Sequence, residues 1–306
     1  MFYYEYWGEQ TLPIKMNMAL EEFALARSER MGVATVRFWD VRKDAVVLGY
    51  GESPSAIKRA DRSFDLARRI TGGSHVQFDS NCLAYSFTVP MDGSFKHFDD
   101  MRKYYAEKIG AALTELGIDV SRVDNRASTI NVDGRVVASH AMYWGVKSSL
   151  MHGLMLINKY DVNTILRRVR LNERKIGRHV YSEEAALRGI PALGARLANR
   201  MRMISPTART EYAKRLIEEE ILKQITGGNH ANKQVGSAVF EEAERIVSET
   251  HIGKPWVLDR TPPLSSDRVD TIPGEELDGK LRDGLGYCLY SQVTNRDFAR
   301  MSEPIE

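Results

Sequence analysis

Cysteine is nearly absent: 306 residues carry only Cys82 and Cys288. Neither has a C-x-x-C partner, which argues against a zinc site or a disulfide framework. Cys82 lies in the apolar run Cys82 to Phe87 and reads as a small core residue rather than a nucleophile. An excess of one charge is also missing. The 43 basic and 41 acidic residues leave a net charge of +2, so no basic field marks a nucleic-acid partner. No apolar run reaches the ~20 residues a membrane helix needs. Met1-Phe2-Tyr3-Tyr4-Glu5 has no basic segment followed by an apolar core, and the expected location is the cytoplasm.

What is present is ordinary for a globular protein, 43% hydrophobic and 27% charged residues. The length allows one large domain, or a domain plus an extension. Alternating β-branched and aromatic residues predict strands at 1–7, read as an edge strand, and at 35–39, 45–49, 83–89 and 150–157. Asp133-Gly134, between two strand-like runs at 128–132 and 136–143, predicts a hairpin. Helical spacing appears from Asn17, read as a cap, to Arg27, at 56–66 and at 98–116. Further helical segments fall near 163–170, 182–188, 209–225 and 237–249. Strands followed mostly by helices read as α+β, a mixed sheet with flanking helices. The composition shifts after Trp256, at Thr261-Pro262-Pro263, so a boundary is placed at 258 and residues 259–306 read as a C-terminal extension.

The chemistry concentrates in Arg68-Arg69-Ile70-Thr71-Gly72-Gly73-Ser74-His75-Val76-Gln77-Phe78-Asp79. A glycine pair lets backbone approach a ligand closely and take positive φ. Successive free N–H groups in such a turn form a nest for an anion. An adjacent arginine adds a planar fork for carboxylate or phosphate. The alternative is an ordinary loop with solvated arginines.

This stretch resembles the Arg-Arg-x-Ser/Thr-Gly-Gly-Gly-x-Val-Tyr/Phe-His-Asp signature of the lipoate–protein ligase and octanoyltransferase family. The ordered segments Met16 to Glu22, Val36 to Trp39, Val46 to Gly49, Asp133 to Ala141 and His152 to Leu156 resemble the family as well. The likeness covers roughly residues 1 to 258 and implies the biotin/lipoate ligase fold. It implies ATP, magnesium and lipoate or octanoate as ligands, a lipoyl carrier domain as partner, and a separate accessory subunit in some members. By the same resemblance, Arg68, Arg69, Thr71, Gly72, Gly73, Ser74, Val76, Asp79, Val137, Ala138, His152 and Gly153 are expected to meet the acyl-adenylate. Val76, Phe78, Val137, Ala141, Leu154 and Leu156 are candidate tunnel walls or simply core.

Several positions depart from the pattern. Ser74 replaces the third glycine, and Phe78 the histidine before Asp79. His75 is expected to face solvent. Val136 stands at the family's essential lysine, and Ser139 at a glycine of the same motif. Ser128-Thr129 stands where many members have Asn-Asp, and no cysteine stands near Asp124, so the octanoyltransferase nucleophile is missing. Lys147, His140 and His152 are the weak candidates for a catalytic replacement. Lys147 reads as a solvated turn residue, and a His140/His152 acid–base pair competes with two structural histidines. No metal ligand is assigned. Two functions follow: attachment or transfer of a lipoyl or octanoyl group to a carrier lysine, or a degenerate member that binds acyl group, nucleotide or carrier as a partner subunit. Biotin ligation ranks below both, because the Gly-Arg-Gly-Arg type signature is missing.

Overall fold

The computed structural model describes residues 2–58, 63–124, 129–133, 135–158, 164, 167–169, 206–251 and 257. The segments expected near 182–188 and 259–306 lie outside them, as do Cys288 and Ser128.

The strands are β1 (Tyr4–Leu12), β2 (Ala34–Val41), β3 (Ala45–Leu48), β4 (Asp65–Arg68), β5 (Val76–Phe78), β6 (Cys82–Pro90), β7 (Val120–Asp124), β8 (Thr129–Val132), β9 (Arg135–Trp144), β10 (Ser148–Leu156) and β11 (His230–Asn232). The helices are α1 (Ile14–Met31), α2 (Phe98–Glu115), α3 (Pro206–Thr226) and α4 (Ser237–Ile246). Eight strands form a mixed sheet in the order β11-β1-β2-β6-β10-β9-β8-β7. Its β1–β2 and β1–β11 pairs are parallel and the others antiparallel. A separate small sheet runs β4-β3-β5. The mixed sheet with flanking helices is the expected α+β class.

Period-two alternation sorts the main sheet into two faces. Leu83, Tyr85, Phe87 and Val89 of β6 pack with Met101, Tyr105 and Ile109 of α2 and Ile217 and Ile221 of α3. Phe87 stacks on Tyr105, with ring centres 4.9 Å apart and planes 8° from parallel. Burying each such side chain contributes about 1.5–3 kcal/mol. On the other face, Ala84, Leu154 and Leu156 pack with Ile14 and Met18 of α1 and with Val47, Ala67 and Phe78 of the small sheet. Helix α4 covers the outer side of α1. Between α3 and β2, buried Lys214 pairs with Asp40, and the Glu218 carboxyl lies close by with one oxygen unpartnered.

Three local expectations are corrected. The first helix begins at Ile14, behind Pro13, and runs on to Met31, where Gly32 takes φ 67° and ends it. Asn17 is therefore inside the helix. Its side chain bonds the Leu12 and Asp40 carbonyls and accepts from Arg37. Arg68 is delivered by strand β4, with a short 3-10 turn at Pro54–Ala56, and not by a helix over 56–66. Strand β1 is longer than expected and has β11 outside it, so it is not the edge.

Candidate functional site

The Thr71–Ser74 turn joins β4 to β5 and lies against the loop after β3. The two loops are joined by the Tyr50 N–H, which donates to the Thr71 carbonyl at 2.8 Å. Gly73 takes φ 90°, which an L side chain rarely adopts. Gly49 passes so close that a Cβ there would sit 1.8 Å from the Gly73 carbonyl oxygen.

Both arginines are buried and spend their donors on this backbone. Arg69 donates to the Gly72 carbonyl at 2.6 and 3.2 Å, to Ser74 at 2.8 Å and to Val47 at 3.3 Å. Burial pulls its guanidinium down to about 10, against the support of Glu52 and Glu21, so it remains a cation at neutral pH. Arg68 donates to the carbonyls of Gly49, Tyr50 and Glu52 at 2.7–2.8 Å. Its other edge grips the Val257 carbonyl at 2.9 and 3.1 Å. Arg68 thus shapes the loop beside the turn, and Arg69 shapes the turn itself.

Thr71 also reaches the main sheet. Its hydroxyl lies 2.6 Å from His152 Nε2 in β10. His152 Nδ1 lies 2.7 Å from Glu21 Oε2 in α1, and Trp39 Nε1 donates to Glu21 Oε1 at 3.2 Å. With Glu21 a carboxylate and the ring neutral, Nδ1 carries the proton, Nε2 accepts, and the Thr71 hydroxyl donates. Arg37, also buried and drawn down to about 10 by desolvation, is supported by the Glu21 charge. Buried Arg37, Arg68 and Arg69 thus lie around the turn and its support, and Glu21, Glu22, Glu52 and Asp79 are buried there as well.

The sequence profile of the "Lipoyl protein ligase A/B catalytic domain" family matches residues 13–201, more than half of the chain. The chain belongs to that family. It is 23% identical over 263 residues to lipoate–protein ligase 1 of Staphylococcus aureus, covering 83% of this chain and 73% of that one. It is 21% identical over 283 residues to the lipoate–protein ligase LplJ of Bacillus subtilis, covering 88% and 80% respectively. The fold is similar to the bi-partite lipoate–protein ligase of Thermoplasma acidophilum, with TM-score 0.64, 15% identity, and 84% and 96% of the two chains covered. A lipoate–protein ligase A structure bound with ATP gives TM-score 0.64 at 15% identity, covering 84% and 99%.

In this lipoyl ligase domain, Thr71, Gly72, Gly73, Ser74, Val76 and His152 gather on the α1 face of the main sheet. Val76, Phe78, Leu154 and Leu156 belong to the one apolar cluster beneath the turn. Phe78 is fixed against Trp39 with ring centres 4.9 Å apart. Val137 and Ala138 lie instead in the core under α2. A bulge in the β8–β9 pairing is the cause. Asn131 pairs with Val136 and Ile130 with Ala138, which leaves Val137 as the extra residue. Val136 is half-buried, and its pairing with Asn131 sets it on the face opposite Ile130, the side of the turn.

His140 and His152 do not form a pair. His140 points to the α2 face and bonds the Tyr85 hydroxyl at 2.6 Å, over Gly153, where any Cβ would meet both rings. Gly153 therefore serves that packing. Lys147 sits in the β9–β10 turn, 70% exposed, 3.2 Å from Glu29. Asp79 is turned to the entry of β6, where it accepts from Asn81, and burial raises its carboxyl. Cys82 is buried and its thiol pushed up, as suits a core residue. His75 does not face solvent: its Nδ1 lies 2.6 Å from Glu52 Oε1.

Glu21 was missed by sequence reasoning. The signal available was an acidic pair, Glu21-Glu22, set between the apolar runs Met18–Leu20 and Phe23–Leu25. Both are buried, Glu21 against His152 and Glu22 against His251 at 3.0 Å. Among the described residues no cluster of three or more His, Cys, Asp or Glu is arranged to hold a metal, and no helix is long and apolar enough to cross a membrane.

Proposed function

We propose that this chain binds a lipoyl or octanoyl group as its adenylate and passes it to a lysine of a lipoyl carrier domain. The observation that carries this reading is the Thr71–Ser74 turn itself, fixed by Arg69 and Thr71 over the apolar cluster of Val76, Phe78, Leu154 and Leu156. Backbone amides of such a turn suit the carboxyl and phosphate oxygens. The apolar cluster suits an alkyl chain. The curated relatives are named as lipoate–protein ligases, and a similar structure is described with ATP. The T. acidophilum ligase is bi-partite and described with its E2 lipoyl domain, so a carrier domain and a separate accessory subunit are the partners to try. Magnesium would arrive with ATP, since it keeps waters and phosphate ligands and needs few protein carboxylates.

A second reading has its own observation. Val136 supplies no charge on the face where the resemblance places a lysine, and Lys147 is tied to Glu29 at the surface. Loss of one such transition-state contact costs ~10²–10³ in rate. Adenylation from ATP by this chain is then slow, and the protein works as an acceptor of preformed adenylate or as a binding subunit.

The test is calorimetry with lipoyl-AMP, followed by pyrophosphate release with lipoate or octanoate and acyl transfer to a carrier domain, each with and without an accessory subunit. Binding and transfer of lipoyl-AMP are expected. Absence of lipoyl-AMP binding overturns the proposal, and binding without transfer favours the partner-subunit reading.

A further inference from the structure

We propose that Glu21 and His152 are positioning residues: through Thr71 they hold the Thr71–Ser74 turn in the one geometry that takes an acyl-adenylate. The inference rests on the acyl-adenylate reading above.

The chain Trp39–Glu21–His152–Thr71 joins β2, α1, β10 and the turn, with every link between 2.6 and 3.2 Å. Thr71 and Glu21 are 0% and 2% exposed. Both carboxylate oxygens of Glu21 already accept a bond, so the direction of the whole chain is set. Other fastenings of the turn run within the small sheet or to the neighbouring loop: Arg69 to Gly72 and Ser74, and the Tyr50 N–H to Thr71. Thr71–His152 is a link from the turn to the main sheet, and α1 backs it.

A buried carboxylate is a poor way to fill space. Well-packed apolar residues of similar volume commonly serve stability as well or better. What the polar chain supplies is direction. It holds the Thr71 side chain on one side and leaves the amides that follow it free of that task. The two glycines alone would permit many conformations.

The experiment uses the full chain and a stable probe, lipoyl-sulfamoyl-adenosine, with affinity read by calorimetry. Glu21→Gln keeps the shape but sets an amide donor opposite His152 Nδ1, so the ring proton moves to Nε2 and the Thr71 bond reverses. Thr71→Val, which removes the bond, is expected to weaken binding ~10–100-fold, the range for a lost buried hydrogen bond to a charged chain, and Glu21→Gln, which keeps the bond reversed and without the carboxylate behind it, ~3–10-fold. Thr71→Ser should bind within about threefold of wild type. Because the residues act as one unit, the double variant should bind no worse than the weaker single. Nitrogen NMR of His152 should show the Nδ1–H tautomer in wild type and Nε2–H in Glu21→Gln.

Additive losses, or wild-type affinity in Glu21→Gln with the ring reversed, overturn the inference. So does an Nε2–H ring in the wild type. If Glu21→Gln fails to fold, the Thr71→Val and Thr71→Ser pair decides: equal affinity in the two overturns the inference. A wild-type chain that binds no probe overturns the acyl-adenylate reading, and this inference with it. Normal wild-type binding with unaffected variants overturns this inference alone.

Discussion

Gly49→Ala tests the account of the turn without substituting any residue expected to meet ligand. An alanine Cβ would stand 1.8 Å from the Gly73 carbonyl oxygen and 2.8 Å from its carbon, with the Arg69 guanidinium at 3.3 Å. Cβ contacts under 3.0 Å essentially never occur, so the turn must retreat by more than an ångström. Arg69 cannot follow freely, because its other donor is held by the Val47 carbonyl in β3. Overpacking of this kind costs about 1–3 kcal/mol. For a domain of this size that lowers the melting temperature by roughly 2–12 °C. Displacing binding groups by about an ångström commonly costs ~10² in function. Calorimetry with lipoyl-AMP should therefore show ~10²-fold weaker binding, while the melt remains cooperative. Gly236→Ala is the control, because a Cβ there meets nothing within 4 Å and its backbone is extended. A Gly49→Ala protein that binds and melts like wild type would falsify the claim that loop contact sets the turn.

Lys214→Met should destabilise strongly and leave ligand affinity alone, since it strips a buried cation from Asp40 on the face away from the turn. Breaking one partner of a buried pair costs about 3–5 kcal/mol, and thermal melts beside lipoyl-AMP titrations check both halves. Glu218 should give a pH signature. Burial first, then Glu9, raise its carboxyl to about 8 from 4.5, so the folded state holds a proton that the unfolded state has released. Its contribution is complete below pH 4.5 and is lost as pH rises through 8. Glu218→Gln should melt like wild type near pH 5 and higher than wild type near pH 8.5; parallel curves at all pH values would refute this. Val136→Lys should raise pyrophosphate release with lipoate and ATP by up to ~10²–10³ if Val136 holds the position of the missing cation, and an unchanged rate would move that position elsewhere.

The part of the candidate site that could be read in the sequence is the part that is local. The turn residues Thr71 to Ser74 lie side by side, and glycine chemistry announces a special backbone. Lys147 as a solvated turn residue followed from its neighbours Gly145, Val146 and Ser148. What could not be read depends on partners far along the chain. Arg68 is consumed by Val257, 189 positions away, and His152 by Glu21, 131 positions away. Nothing in either local pattern names those partners. Val137 was misplaced for a different reason. Strict alternation assigns faces only until a bulge inserts one residue, and the β8–β9 bulge falls at the motif. His75 shows the same limit: a polar residue in a loop looks solvated until Glu52 folds back over it.

The grip of Arg68 on Val257 has a consequence for how the molecule comes to be competent. The loop that flanks the turn is made from residues 49 to 52, yet its anchor is completed by a carbonyl supplied near the far end of the domain. Closing so long a stretch of chain is entropically costly and comes late in folding. During synthesis the first 70 residues would emerge with both arginines in place and no finished cradle. A chain cut before residue 257 would keep its strands and its glycine turn while losing the carbonyl that Arg68 grips. Competence to bind would then mark a completed chain, and a truncated copy would not compete for acyl groups.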